Sequence, residues 1–139
     1  MSILTFLKTC VFTIVCLNFP IAVMANNDLQ KLMDKANFDR GRQLFQQCSN
    51  CHSIIKNGAN RLGPTLWQIV NAPIGAHPSY RYSEAMKKAN LAGRLWTEQD
   101  LFEFIKSPRK FMPGTRMAYR GMSSDQDIAN LIFYLKSLN

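Results

Sequence analysis

The sequence has little of several features that would assign it to a common structural class. Cysteine is scarce, with four in 139 residues, which excludes a disulfide-stabilised scaffold. Seven glycines and six prolines are ordinary numbers, and 47% hydrophobic against 19% charged residues excludes a disordered or low-complexity chain. The sequence contains no internal repeat and no alternating pattern typical of a β-strand. Because domains contain roughly 100–200 residues, these absences leave one small helical domain.

Charge is nearly absent from the first 25 residues, where Lys8 is the one charged side chain. An apolar stretch is followed there by a β-branched and a small residue at Val23 and Ala25, a pattern typical of a signal peptide and its cleavage site. We therefore predict a signal peptide over residues 1–25, cleaved after Ala25, and a mature protein in the periplasm. The alternative is an uncleaved anchor on the periplasmic side of the inner membrane. Asn18 and Pro20 interrupt the apolar run, which falls short of the about 18 residues that a membrane span needs.

Helical spacing of apolar residues recurs in four stretches of the remaining chain. We interpret the residues before the first stretch, 26–37, as an N-terminal extension that forms a short helix or a loose segment. The first predicted helix starts at Phe38, with Asn37 or Asp39 as its cap, and the second spans residues 84–90. The third begins at Thr97 and ends at Pro108, and the fourth begins at Ser124. Long loops are predicted over residues 56–82 and 107–122. The prediction is an all-α domain over residues 38–139 with three to five short helices.

Gly41 lies on the same helical face as Phe38, Phe45 and Cys48. Glycine weakens a helix interior by roughly 1 kcal/mol relative to alanine. Its position therefore predicts a second helix that crosses closely at this point. The alternative is that Gly41 is simply tolerated.

One short motif carries the chemistry. Residues 48–52 read Cys-Ser-Asn-Cys-His, the spacing of covalent haem c attachment. Cys48 and Cys51 would lie on one side of a helix end and could add to the two vinyl groups of one haem, and His52 could reach the iron as the proximal axial ligand. A haem would also give the long loops a partner to pack against, which a small chain with little helix-on-helix core needs.

Other interpretations of the motif fit the chain less well. A thioredoxin-like C-x-x-C needs a βαβ context, which the sequence lacks. A structural zinc site needs four ligands, and grouping His77 with Cys48, Cys51 and His52 leaves His77 isolated in sequence. A disulfide between Cys48 and Cys51 stays open for an exported chain.

A methionine is expected as the second axial ligand, because a thioether favours ferrous iron. Met33 and Met86 fall on predicted helices, where methionine is more often a core residue. Met117 lies in a loop after Gly114, whose conformational freedom lets the backbone pass close to a flat group. Spacing alone leaves two further loop methionines open, Met112 and Met122.

With these residues identified, the chain resembles a class I c-type cytochrome of the small soluble mitochondrial and bacterial type from Phe38 to Leu138. The matching motifs are Gly41 and Phe45 before C-x-x-C-H, Gly63-Pro64-Thr65-Leu66, Tyr80 and Tyr82, Trp96, Pro113-Gly114-Thr115-Arg116-Met117, and Tyr134 near the end of the last helix. The resemblance implies the cytochrome c fold, wrapped around one covalently bound haem c, with its first and last helices crossed.

The resemblance also implies roles for individual residues. It selects Met117 as the distal axial ligand, and it implies that the Pro64 carbonyl accepts a hydrogen bond from the His52 ring, which orients the ring. The other residues that it implies around the haem are Tyr82, Thr115 and Trp96, the last as a donor to a haem propionate.

Three positions depart from the family's pattern. Phe104 stands where the family often has a tyrosine that bonds toward the methionine sulfur, and Met86 stands where it often has asparagine. Ala72 occupies the position of an arginine near a propionate. These losses of polar groups predict drier haem surroundings and an altered reduction potential, to which we assign no sign.

A haem with His52 and Met117 on its iron has no open position for a substrate. The predicted function is therefore a one-electron carrier and not an enzyme. The alternatives are a five-coordinate haem c enzyme or gas sensor, and a haem-free exported thiol or zinc protein.

Acidic residues are scarce, 9 against 17 basic ones, which gives a formal charge of +8. Basic residues in the segments expected around the haem are Lys87, Lys88, Lys106, Arg109, Lys110, Arg116 and Arg120. They predict docking on acidic faces of redox proteins, although an ordinary solvated surface is the alternative. The resemblance implies a quinol–cytochrome c reductase type donor and an oxidase or peroxidase type acceptor. Because the charges form no dense run and an exported protein meets little nucleic acid, we expect no nucleic-acid binding, and we expect a monomer.

Overall fold

The computed structural model describes residues 21–138, with side chains from residue 27 onward. Its helices are α1 (Ile21–Met33), α2 (Phe38–Leu44), α3 (Gln46–Ser49), α4 (Glu84–Leu91), α5 (Glu98–Lys106), α6 (Pro108–Phe111) and α7 (Asp125–Lys136). The described residues contain no strand, only an isolated bridge between Pro73 and Leu95. The all-α prediction is confirmed.

The N-terminal predictions fall mostly outside this range. Residues 1–20 of the predicted signal peptide are not among the described residues, so the peptide and its cleavage after Ala25 stay predictions. Helix α1 begins at Ile21, within the predicted signal peptide, and includes residues 26–33 of the extension, which agrees with the short helix and not with a loose segment. Within the part of the chain that the structure describes, no helix has the length and apolar character that crossing a membrane requires.

Residues 21–138 contain seven helical segments, where three to five short helices were predicted. Phe45 interrupts the first predicted helix and divides it into α2 and α3. The prediction that residues 107–122 form only loop was wrong, because α6 lies within them. Pro108 ends α5 but also occupies the first turn of α6, where its missing N–H leaves no hydrogen bond unmade.

Four polar side chains determine where the helices begin. Each accepts a hydrogen bond from the backbone N–H three residues further on, which satisfies one of the free donors of the first turn. The pairs are Asn37 with Arg40 (2.8 Å), Ser83 with Met86 (3.3 Å), Thr97 with Asp100 (3.0 Å) and Ser124 with Asp127 (3.2 Å). Of the two caps considered for the first predicted helix, the structure uses Asn37.

The crossing of α2 and α7 forms the centre of the helical core. A Cβ atom on Gly41 would collide with the Asn130 carbonyl oxygen and lie 2.7 Å from the Tyr134 Cβ, so only glycine allows this approach. The Tyr134 ring packs against Phe38 and Phe45, at centroid distances of 5.3 and 5.9 Å. The close crossing predicted at Gly41 is therefore confirmed, and α1 and α5 also pack on α7.

Buried polar groups attach the N-terminal extension to α7. Asn130 is 5% exposed, and its Oδ1 accepts a hydrogen bond from the Asn37 N–H at 2.8 Å. Gln126 donates to the Leu32 carbonyl at 3.0 Å, and Leu29 of α1 is buried in the core. The extension is therefore part of the packed domain, a role that its sequence did not indicate.

Gly41→Ala is expected to lower the free energy of unfolding by about 1–3 kcal/mol, because overpacking at the crossing outweighs alanine's better helix propensity. Urea unfolding of the holoprotein measures this. Gln43→Ala, on the exposed face of the same helix, serves as the control and should change stability by less than about 0.5 kcal/mol. Equal effects of the two substitutions would contradict the close crossing.

Candidate haem-binding site

The C-x-x-C-H segment continues the helical turn beyond the end of α3. The N–H groups of Cys51 and His52 both donate to the Cys48 carbonyl, at 3.0 and 2.9 Å. This turn keeps the two cysteines close together. Both are free thiols and half-buried, so the disulfide alternative is not observed. Burial raises the pKa of Cys48 to about 11, with a smaller contribution from Cys51, so its sulfur is a neutral thiol at neutral pH.

His52 is oriented by one short hydrogen bond. Its Nδ1 lies 2.7 Å from the Pro64 carbonyl oxygen. Because a carbonyl can only accept, Nδ1 must carry the proton, which leaves Nε2 as the free ring nitrogen. Burial lowers the pKa of His52, and the bond to Pro64 opposes this. The result is a neutral imidazole with a fixed tautomer, the form that binds a metal ion.

Gly63 makes room for the His52 ring. A Cβ at this position would lie 2.7 Å from both ring nitrogens, and the Gly63 N–H donates to the Cys51 carbonyl at 2.8 Å. The segment before Pro64 is thus held directly against the motif. The Leu66 N–H donates to the Ser53 carbonyl at 2.7 Å and holds the following residues as well.

His77 is engaged elsewhere. The Asn60 side-chain amide lies 3.1 Å from His77 Nδ1, so Asn60 acts as its hydrogen-bond partner. Among the described residues, no three His, Cys, Asp or Glu side chains converge in a way that could hold a metal ion. The four-ligand zinc site with Cys48, Cys51, His52 and His77 therefore finds no support.

The three loop methionines differ in their surroundings. Met112 and Met122 are 5% and 7% exposed and belong to the core, whereas Met117 is only partly buried against it. The Met117 N–H bonds to Thr115 Oγ1 at 3.3 Å, after a turn at Gly114, whose φ of +87° favours glycine. Burial thus distinguishes Met117 from the two alternatives that spacing left open.

The Met117 loop, residues 112–122, contacts helix α3, where the C-x-x-C-H motif begins. The Tyr119 hydroxyl donates to Gln47 Oε1, next to Cys48, at 3.2 Å. Burial raises the pKa of Tyr119, and Cys48 contributes to the increase. Neither Tyr119 nor Gln47 was among the predicted site residues, since their separation of 72 positions leaves no local signal.

The other two aromatic residues predicted around the haem, Trp96 and Tyr82, lie in different surroundings. Trp96 is buried and packs against Phe104 and Phe111, with ring centroids 4.9 and 6.5 Å apart. Tyr82 is half-buried, which raises its pKa, and it contacts Tyr80 at 4.8 Å. Phe104 thus takes part in an apolar aromatic cluster, consistent with the dry surroundings predicted for this side of the site.

The residues around the motif fit a large, flat, apolar group. Half-buried apolar side chains packed against the core come from the motif itself, the segment after Pro64, the start of α4 and the Met117 loop, namely Cys48, Ile54, Leu66, Ile69, Ala85, Met86, Phe111, Met117 and Tyr119. These segments contact one another in space. Leu66 bonds to Ser53 and Tyr119 bonds to Gln47, and a Cβ on Gly114 would lie 3.7 Å from the Cβ of Ala85. With two thiols, a neutral imidazole and a thioether, this donor set suits a covalently attached haem.

Comparison with known proteins gives a consistent result. A family model described as cytochrome c matches residues 38–139. The chain is 42% identical over 110 residues to the "Cytochrome c homolog" of Rickettsia prowazekii (strain Madrid E), covering 79% of this chain and 61% of that protein. It is 43% identical over 96 residues to "Cytochrome c2" of Agrobacterium tumefaciens (strain II Chrys), covering 69% and 86%. The chain spans about three fifths of the length of the Rickettsia relatives that it matches.

The fold is also similar to a solved structure. Cytochrome cH from Methylobacterium extorquens superposes with a TM-score of 0.65 at 35% identity, and the match covers 73% of this chain and 99% of that one.

Gly63→Ala is expected to displace the His52 ring and break its bond to Pro64, lowering the free energy of unfolding of the holoprotein by about 1–3 kcal/mol. Denaturant unfolding followed by visible absorbance and by circular dichroism measures the loss. Leu62→Ala is the control, because the Leu62 side chain is 80% exposed. If the two variants were equally stable, the steric role of Gly63 would be wrong.

Proposed function

The chain belongs to the cytochrome c family, and we therefore propose that it is a one-electron carrier with one covalently attached haem c, and not an enzyme. When bound, haem supplies an iron that alternates between ferric and ferrous states. The observation that carries the proposal is the hydrogen bond from His52 to Pro64, beside two free thiols at the required spacing. It prepares one nitrogen for a metal in the arrangement that haem attachment needs.

Cys48 and Cys51 would hold the haem through thioether bonds, and His52 would bind the iron through Nε2 from the proximal side. The Pro64 carbonyl keeps the His52 ring in one orientation and one tautomer. We also assign Tyr82, Trp96 and Thr115 to the haem surroundings, on the basis of the family resemblance.

Met117 is proposed as the distal axial ligand. Among the loop methionines it is the one that is only partly buried, whereas Met112 and Met122 are buried in the core. Its loop lies against α3 through Tyr119, which supports a position across the site from His52. With both axial positions filled, the iron would have no open site for a substrate, so electron transfer is the remaining chemistry.

We propose that the carrier works in the periplasm, in accordance with the predicted signal peptide, and exchanges electrons with acidic faces of redox proteins. Of the seven basic residues expected near the haem, Lys87 and Lys106 are paired with Glu84 and Asp125, at 2.8 and 2.7 Å. Within residues 27–138 the other five form no ion pair, namely Lys88, Arg109, Lys110, Arg116 and Arg120. Their uncompensated charge supports steering toward an acidic partner.

Met117→Ala is expected to abolish the sulfur-to-ferric-iron charge-transfer band and to let carbon monoxide bind the reduced protein promptly, because a methyl side chain supplies no ligand. Visible spectra of both oxidation states, with and without carbon monoxide, test this. Met112→Leu and Met122→Leu are the controls and should keep the band. A wild-type protein without the band that binds carbon monoxide promptly would contradict Met117 ligation and favour a five-coordinate haem enzyme or sensor.

Arg120→Gln is expected to slow oxidation of the reduced protein by the ferricyanide anion about twofold at low ionic strength, because it removes an uncompensated charge near the Met117 loop. Stopped-flow absorbance gives the rate, and added salt should reduce the difference from wild type. Lys35→Gln is the matched control, because it removes the same charge from an exposed lysine in the N-terminal extension on α7 rather than in the Met117 loop. Equal slowing by both variants would mean that net charge alone, and not its position, determines the rate.

A further inference from the structure

The Met117 loop has few attachments to the rest of the site. Two of its hydrogen bonds are internal, from Thr115 N–H to the Met112 carbonyl at 3.1 Å and from Met117 N–H to Thr115 Oγ1 at 3.3 Å. Its far end is fixed to α5, because the Met122 N–H donates to the Ile105 carbonyl at 3.1 Å. The residues between these two fixed points therefore depend on side-chain contacts.

Tyr119 makes such a contact. Its neighbours Ala118 and Arg120 are exposed, whereas Tyr119 is half-buried and packs against the core. Its hydroxyl donates to Gln47 Oε1 at 3.2 Å, and Gln47 precedes the first thiol of the motif. This bond joins the middle of the Met117 loop to α3, the helix that carries Cys48.

We propose that the Tyr119–Gln47 hydrogen bond is a latch that holds the Met117 loop closed over the site, which makes Tyr119 and Gln47 positioning residues for the distal axial ligand. The proposal rests on the proposed function, in which Met117 occupies the second axial position. When the latch is closed, the Met117 thioether is held at its place. When it opens, the residues between the turn at Gly114 and the bond from Met122 to Ile105 can move away from α3, and the distal side becomes accessible to small external ligands.

The geometry explains why a tyrosine serves here. Its ring packs against the core, and its hydroxyl reaches beyond the ring to the amide oxygen of Gln47. Phenylalanine would keep the packing and lose only the hydrogen bond, which makes Tyr119→Phe a clean probe.

The test compares Tyr119→Phe, Gln47→Leu and the double variant with wild-type holoprotein. One readout is the rate at which imidazole binds the ferric protein, which requires the loop to open. The other is amide hydrogen exchange at Met117 and Met122, whose N–H groups are hydrogen-bonded on either side of Tyr119; it reports loop opening whether or not Met117 is a ligand. Each single variant should raise both rates about two- to threefold, the low end of the range for one net hydrogen bond, because Gln47 is exposed. The double variant should add little, since both substitutions remove the same bond.

Matched controls separate the latch from general loosening. Tyr80→Phe removes another tyrosine hydrogen bond, the one to the Leu62 carbonyl at 2.7 Å, on the proximal side of the site. Gln46→Leu changes the exposed neighbour of Gln47. Both controls should leave the two rates at the wild-type value.

Two results would overturn the latch. One is unchanged hydrogen exchange at Met117 and Met122 in Tyr119→Phe, and the other is an equal acceleration in Tyr80→Phe. If wild-type protein lacks the charge-transfer band, Met117 ligation fails, and hydrogen exchange alone then decides whether the latch exists. If the band is present and the variants behave like wild type, the latch fails while the proposed function stands.

Discussion

The hydrogen bond between His52 and the Pro64 carbonyl is the interaction on which the site depends. It fixes the tautomer of the ring and points the remaining nitrogen away from the backbone that holds it. It also connects the end of the C-x-x-C-H turn to a segment 12 residues later, so the intervening loop must fold back on the motif. Gly63 permits the contact by leaving the space that a side chain would fill.

The crossing of α2 and α7 determines where this site lies in the domain. Because α3 follows α2 after one residue, the position of α2 on α7 determines where the thiols lie. That position depends on close packing at Gly41 and on the buried amide of Asn130. Thus the scaffold relies on steric fit and a few buried hydrogen bonds, whereas the site relies on loop segments joined pairwise across it.

The sequence predicted best the features that depend on neighbouring residues. Helix starts at Asn37, Thr97 and Ser124, and the attachment motif itself, are local patterns with a local physical cause. The loop methionines were indistinguishable by spacing, because burial in the core is decided by distant residues. Helix α6 was missed, since a proline that ends one helix can begin the next. The Tyr119–Gln47 bond and the role of Asn130 were missed as well, because both join segments far apart in sequence.

The docking of α1 on α7 has a geometric consequence. Leu29 is buried, Gln126 bonds to the Leu32 carbonyl, and Asn130 bonds to the Asn37 N–H, so the extension is fixed along its length. Because this packing runs from Leu29 to Asn37, the face of α7 beneath it is closed to any other molecule. A partner must therefore contact the domain on another of its surfaces.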